Sequence, residues 1–174
     1  MIYVFLADGF EETEAIAPID MLRRAKLDVK LVGVGTSTPT SSHGIRVTAD
    51  LTEAEVKLDS SVQLIVLPGG MPGTLNLEKS PVVQSAIKYC VENGIPVGAI
   101  CAAPSILGKL GLLNGRKAVC FPGFEQYLTG AEVMNKLCVT DGQFTTACGA
   151  GSSSGWNLSR FSAAKRDQQS FALP

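Results

Sequence analysis

The chain has 174 residues, of which 45% are hydrophobic and 18% charged, and 15 basic side chains nearly balance 16 acidic ones. This length and balance are typical of one compact domain and exclude a disordered chain. Because no block of basic residues occurs and no apolar run approaches the ~18 residues that span a bilayer, we expect neither nucleic acid nor a membrane as partner.

The five cysteines are scattered along the chain without a CxxC pair, and His43 is the single histidine. A zinc site normally needs Cys or His ligands at short spacings, so we expect no metal. An odd, dispersed set of thiols is typical of a reducing compartment. The first residues have the pattern of a strand rather than of a cationic leader, and we therefore expect a cytoplasmic protein.

Short apolar runs alternate with helical patterns along most of the chain. Ile2–Ala7 is an apolar run, and residues 11–25 form a helical pattern with acidic residues first and arginines last. Further strands are predicted at residues 27–34, 45–48, 64–67, 97–100, 117–120, 138–140 and 144–147, and helices at residues 82–92, capped by Ser80-Pro81, and 102–107. This alternation predicts an α/β fold whose largely parallel sheet is covered on both faces.

Three loops follow the carboxyl ends of predicted strands. They comprise residues 8–14, residues 68–73 and the turn at Cys101. Ligands of parallel sheets bind beyond the carboxyl ends of the strands, at one edge of the sheet. The sequence therefore predicts that these loops meet in one site.

Cys101 stands between an apolar strand and a helical pattern that begins at Ala102. A strand-to-helix turn exposes a nucleophile above the sheet, as in the nucleophile elbow of hydrolases. The N-terminus of the following helix favours a thiolate over a thiol. The alternative interpretation is a small thiol that only packs in the core. The converging loops favour the functional interpretation.

Glu14 is the candidate partner of Cys101 because it lies on the helix that follows the first strand. A carboxyl group in partly apolar surroundings has a raised pKa, and it could donate a hydrogen bond to the thiolate or move a proton on a substrate. The alternative is an exposed helix glutamate, like its neighbours Glu11 and Glu12.

Gly69 and Gly70 allow the backbone to approach a ligand closely. With the N–H of Ala102 they could hold an oxyanion, although two glycines are also typical of an ordinary tight turn. His43 lies in a polar loop, which is more typical of a surface residue. A Cys–His pair would form only if the fold, or a second subunit, brought His43 to the thiol.

Three segments in fixed order, ADGFEETEAIAPIDMLRRA, LPGGMPG and AICAAPSIL, resemble the ThiJ/PfpI superfamily. The resemblance is to its DJ-1 branch, that of the Parkinsonism-associated protein deglycase, in a bacterial-type form. The segments SSHGIRVTAD and TTACGAG extend it from Met1 to about Ser153. The resemblance implies a flavodoxin-like three-layer α/β/α sandwich and a homodimer.

The resemblance also implies roles for the candidate residues. Cys101 corresponds to the elbow cysteine of the family and Glu14 to its protonated glutamate. The glycines of the oxyanion-type pocket correspond to Gly69 and Gly70. His43 falls on an anion-contacting position where other members often carry arginine.

Two departures from the family pattern change these expectations. Ala102 stands where the protease-like branch has a histidine, which argues against a Cys–His peptidase. Phe121 stands where some DJ-1 relatives have a histidine, and we therefore expect a more apolar pocket.

The leading hypothesis is a cysteine-dependent, cofactor-independent enzyme for reactive carbonyls. The resemblance implies conversion of methylglyoxal to lactate, or removal of early glyoxal adducts from proteins. Cys101 would form a hemithioacetal and Glu14 would shuttle the proton. The alternatives are a redox sensor or chaperone that works through oxidation of Cys101, and, third, a cysteine peptidase.

The C-terminal segment departs from the family. Where the family continues with an apolar helix, this chain has SSSGWNLSRFSAAKRDQQSFALP, which has only a weak apolar stripe. We expect one domain over residues 1–174, with residues 1–153 family-like and residues 154–174 atypical. That segment is either a divergent helix or an altered sequence.

Overall fold

The computed structural model describes residues 1–152, which form a layered α/β fold. The strands are β1 Ile2–Ala7, β2 Val29–Val34, β3 Leu51–Thr52, β4 Leu64–Leu67, β5 Val97–Ile100, β6 Lys117–Ala118, β7 Glu132–Val133, β8 Cys138–Asp141 and β9 Phe144–Ala147. The helices are α1 Glu12–Arg24, α2 Gly73–Lys79, α3 Pro81–Glu92 and α4 Pro104–Lys109, with short 3-10 turns at Glu53–Glu55, Glu125–Tyr127 and Ala150–Ser152.

Seven strands form the central sheet in the order β3-β2-β1-β4-β5-β9-β8. Every neighbouring pair in it is parallel except β8 and β9, which form an antiparallel hairpin. The inner order β2-β1-β4-β5-β9 is the flavodoxin-like arrangement, in which the carboxyl ends of the middle strands form the ligand crevice.

Helices cover both faces of this sheet, which makes three layers. On one face α1 packs Ala15, Ile19 and Leu22 against residues of β1 and β4. On the other face α2, α3 and α4 contribute Leu77, Val83, Ile87, Ile106 and Leu107 to a second apolar cluster. The predicted fold class is therefore confirmed.

The start of α3 illustrates how local sequence sets an element boundary. Ser80 caps the helix, since its Oγ accepts a hydrogen bond from the N–H of Val83 at 3.2 Å. Pro81 occupies the first helical position, where its missing N–H costs nothing. The prediction from Ser80-Pro81 is confirmed.

Several predicted elements differ from the structure. The strand expected at residues 45–48 is wrong: Arg46 makes a single bridge to Thr40, and the edge strand β3 lies further along. The strand expected at residues 117–120 is only two residues long and pairs with β7 outside the main sheet. Helix α2 was not predicted. These errors concern short elements, whose formation depends on distant neighbours.

The helix after Cys101 begins later than expected. Residues Ala102 and Ala103 form a turn, and α4 starts at Pro104, which favours the first helical position. Among residues 1–152, no helix has the length and apolar character needed to cross a membrane. The expected divergence of residues 154–174 lies outside the described residues.

Candidate active site

Cys101 occupies a tight turn directly after the central strand β5. Its φ is 63°, a left-handed conformation that costs a non-glycine residue roughly 1–2 kcal/mol. Two hydrogen bonds hold the turn: the Cys101 N–H donates to the Ala147 carbonyl at 2.8 Å, and the Phe121 N–H donates to the Cys101 carbonyl at 2.8 Å. This is the elbow geometry that the sequence predicts.

The loop after β4 passes directly over Cys101 and Glu14. A Cβ placed on Gly69 would lie 2.5 Å from the Cβ of Cys101 and 2.5 Å from Oε2 of Glu14. No side chain fits at these distances, so only glycine is compatible with the approach. The predicted convergence of the three loops is therefore present in the structure.

Glu14 lies in the first turn of α1 with only 1% of its surface exposed. Its Oε2 accepts a hydrogen bond from the Gly69 N–H at 3.0 Å, and the Cys101 thiol also hydrogen-bonds to its carboxyl group. Glu11 caps the helix, because its Oε2 accepts a hydrogen bond from the Glu14 N–H at 2.7 Å. The alternative of an exposed helix glutamate is therefore wrong.

Burial raises the pKa of the Glu14 carboxyl to about 7, and the negative charge of Glu11 adds to this effect. Hydrogen bonds from Cys101 and from the N–H groups of Gly69 and Ala150 act in the opposite direction. The carboxyl group therefore gains and loses its proton near neutral pH, as a general acid–base group should.

Burial also raises the pKa of the Cys101 thiol, to about 12, and the neighbouring Glu14 charge raises it further. The N–H groups of Ala102 and Gly70 partly offset these effects. The N–H group at the start of the following turn thus acts in the expected direction, but burial and the Glu14 charge outweigh it. The pair therefore loses its first proton from the carboxyl group.

The candidate oxyanion donors divide into two groups. The N–H groups of Gly70 and Ala102 hydrogen-bond to the Cys101 sulfur. The Gly69 N–H, which was predicted to act with them, donates to Glu14 instead. Gly69 thus orients the carboxyl group, while Gly70 and Ala102 are the donors next to the sulfur.

His43 lies apart from the thiol. Its Nδ1 is 2.7 Å from Oε1 of Glu12, and its side chain is 71% exposed. Among residues 1–152, the groups that hydrogen-bond to Cys101 or act on its charge are Glu14, Ala102 and Gly70. The Cys–His pair that a peptidase needs is not formed by this part of the chain.

One group of side chains near the site has the composition of a metal site. Glu11, Glu12 and His43 each offer one ligand atom, and these atoms lie within 4.8 Å of one another. Exposed acidic groups are common without an ion, and the expectation of no metal stays a prediction.

Sequence reasoning missed three residues that shape the site. Glu11 and Ala150 act on the pKa of Glu14, and Gly149 lies between its carboxyl group and Phe121, the residue that was expected in the pocket. Only Glu11 carried a local signal, since a capping carboxylate three residues before Glu14 is typical of a helix start. The other two come from a loop that is distant in sequence.

Comparisons with known proteins give the sequence relatives of this chain. The sequence model of the DJ-1/PfpI family matches residues 1–162. Protein DJ-1 homolog B of Arabidopsis thaliana is 39% identical over 156 residues, which are 87% of this chain but only 35% of that longer relative. A protein of Pyrococcus horikoshii named as a deglycase is 32% identical over 144 residues, which cover 81% of this chain and 85% of the relative.

Solved structures have the same fold. A DJ-1 superfamily protein of Salmonella typhimurium superposes with a TM-score of 0.87 at 31% identity, covering 94% of this chain and 89% of that one. Toxoplasma gondii DJ-1, solved in an oxidized form, has a TM-score of 0.86 at 30% identity, with 94% and 89% covered.

Proposed function

Because the chain belongs to the DJ-1/PfpI family, as its motifs predict, we propose that it is a cofactor-independent enzyme for reactive carbonyls, of the glyoxalase or deglycase type. Its substrates would be methylglyoxal or the adducts of such aldehydes on proteins. The observation that carries the proposal is the hydrogen-bonded pair of the half-buried Cys101 and the buried Glu14, whose carboxyl pKa is about 7. The deglycase name of the Pyrococcus horikoshii relative supports the same class.

The first step is attack of the thiol on the aldehyde carbon. The Glu14 carboxylate accepts the proton of Cys101 while a C–S bond forms and the carbonyl electron pair moves to oxygen. The N–H groups of Gly70 and Ala102 stabilise the oxyanion, which takes the proton from Glu14 and becomes a hemithioacetal.

The second step moves a proton between the two substrate carbons. The Glu14 carboxylate removes the hydrogen of the former aldehyde carbon, and an enediolate forms as the ketone oxygen takes the proton of the neighbouring hydroxyl group. Return of the proton from Glu14 to the second carbon restores a carbonyl on the first carbon and gives a lactoyl thioester on Cys101. Water then breaks the C–S bond, so that methylglyoxal and one water yield lactate.

A protein adduct enters the same sequence at an earlier point. In the hemiaminal formed by an amine and the aldehyde, the C–N bond breaks and the amine leaves with a proton. The released aldehyde then reacts with Cys101 as above.

We also propose that the protein is a homodimer, that it is located in the cytoplasm and that it belongs to the bacterial type of the family.

The test is turnover of methylglyoxal by the purified protein in the presence of a chelator and without added cofactor. We expect lactate as product, and in D2O we expect deuterium at its second carbon, because the Glu14 proton exchanges with solvent. Methylglyoxal consumption no faster than in buffer would contradict the proposal. Lactate without deuterium would mean that Glu14 returns its proton before it exchanges with solvent, or that the hydrogen moves as hydride.

A second candidate function is oxidation sensing through Cys101. The oxidized form of Toxoplasma gondii DJ-1 favours it, as does the raised Glu14 pKa, since a protonated carboxyl can donate to a sulfinate oxygen. Two hydrogen peroxide molecules convert the thiol to sulfinic acid and release two waters.

Peptide mass analysis after mild peroxide treatment tests this function. We expect addition of two oxygens at Cys101. The doubly oxidized fraction should be smaller in Glu14→Gln, because the variant lacks the carboxylic acid that donates a hydrogen bond to the sulfinate. The half-buried Cys148 is the internal control. Equal or faster oxidation of Cys148 would remove the case for a dedicated sensor.

A further inference from the structure

Phe121 is a large apolar residue that lies outside the hydrophobic core, in a loop bonded to the elbow turn. Its N–H donates to the Cys101 carbonyl at 2.8 Å, which fixes its backbone to the turn that carries the thiol. The preceding Cys120 is buried, whereas the Phe121 side chain is 47% exposed. An aromatic residue at the surface is therefore bonded through its backbone to the turn that carries the thiol.

The ring and the Glu14 carboxyl group border the same small space. A Cβ on Gly149 would lie 3.5 Å from Cδ2 of Phe121 and 3.8 Å from Oε1 of Glu14. The glycine therefore leaves the space between ring and carboxyl open. A substrate with its aldehyde carbon at Cys101 and its proton at Glu14 extends its substituent toward this ring.

The electrostatic surroundings of the pair are negative. Among residues 1–152, the charged groups that act on Cys101 and Glu14 are the carboxyls of Glu14 and Glu11, and both raise the pKa of their neighbour. A substrate with its own negative charge would meet the same repulsion. The site therefore suits a neutral compound.

We propose that Phe121 determines specificity, and that the site selects neutral 2-oxoaldehydes with an apolar, above all aromatic, substituent. This inference rests on the proposed function for its substrate class. An aromatic substituent can stack on the edge or face of the ring and bury apolar surface, an advantage that a methyl group obtains only in small part.

Alkylation of Cys101 tests the preference without requiring turnover. Iodoacetamide, iodoacetanilide and iodoacetate react by the same step, in which the sulfur displaces iodide from a CH2 group, but they carry a small neutral, an aromatic neutral and an anionic substituent. Rate constants at Cys101, measured by peptide mass analysis, are divided by those of free cysteine. We expect an anilide-to-amide ratio raised about fivefold or more by contact with the ring, and a lowered rate for iodoacetate.

Substitutions identify the ring as the cause. Phe121→Ala should abolish the raised ratio, and Phe121→Leu, which keeps an apolar side chain and protects folding, should lower it in part. Leu110→Ala is the matched control, because Leu110 is 46% exposed and lies at the far end of α4. An unchanged ratio in Phe121→Ala and Phe121→Leu would overturn the inference.

Turnover separates this inference from the function on which it rests. The kcat/KM of phenylglyoxal relative to methylglyoxal should fall in Phe121→Ala and stay unchanged in Leu110→Ala. If both aldehydes are turned over and the ratio of their kcat/KM values is the same in the parent and in Phe121→Ala, the inference is overturned and the proposed function stands. Absence of turnover together with a Phe121-dependent alkylation ratio overturns the function and supports the ligand preference.

Discussion

Replacement of Cys101 by alanine should lower kcat/KM for methylglyoxal by about a thousandfold or more, the scale seen when an enzyme loses its nucleophile. Without the sulfur no bond forms to the aldehyde carbon, and Glu14 has no hemithioacetal on which to move a proton. The N–H groups of Gly70 and Ala102 can still bind the carbonyl oxygen, but binding alone leaves only residual catalysis. Lactate formation, followed over time at matched protein concentration, measures the loss.

The control for this experiment is a second thiol substitution. Cys138→Ala removes a half-buried thiol at the start of β8 and should retain the parent rate. Thermal unfolding of both variants shows whether either change disturbs the fold. Equal turnover by Cys101→Ala and the parent would exclude covalent catalysis by Cys101.

The position of Cys101 was predictable because its signals are local. The apolar run Val97–Ile100 is a strand in the structure as in the prediction, and a thiol directly after it must sit at the carboxyl end of that strand. The strand Ile2–Ala7 likewise places Glu14 one helical turn beyond the same edge of the sheet. Parallel topology then brings the two together, which is why the sequence offered Glu14 as a candidate partner of Cys101 beside the alternative of an exposed glutamate.

The electrostatics of the site were not predictable in the same way. The sign of the thiol pKa shift depends on how deeply Cys101 is buried and on the charge of Glu14 beside it, and neither appears in the local sequence. The use of the Gly69 N–H as a donor to Glu14 depends on loop geometry at the ångström scale. Sequence patterns identify which residues meet, whereas the state of each proton follows from their exact packing.

Substitution of Glu14 by glutamine should lower turnover about a hundredfold or more, because an amide neither accepts the thiol proton nor moves it between carbons. In the parent, kcat/KM should rise with pH and level off above about 7, where the carboxyl group is ionised. The variant should lack this rise. A retained pH profile in Glu14→Gln would assign the titration to another group.

The same substitution should stabilise the protein at alkaline pH. The carboxyl pKa of Glu14 is raised from 4.5 to about 7 in the folded state, so the folded protein binds more protons than the unfolded chain between these values. The parent therefore loses stability as pH rises through this window, while the uncharged glutamine does not. We expect the stability advantage of Glu14→Gln to grow by about 2–3 kcal/mol between pH 5 and pH 8.

Urea unfolding of both proteins at the two pH values measures this growth. Glu55→Gln is the control: hydrogen bonds from Thr52 lower its carboxyl pKa from 4.5, so Glu55 titrates below pH 5 and its replacement should give a stability difference that is the same at both pH values. A constant difference between parent and Glu14→Gln would mean that Glu14 is not held near neutrality. Loss of activity together with a gain in stability would identify Glu14 as a residue kept buried for its chemistry, since packing alone favours the uncharged side chain.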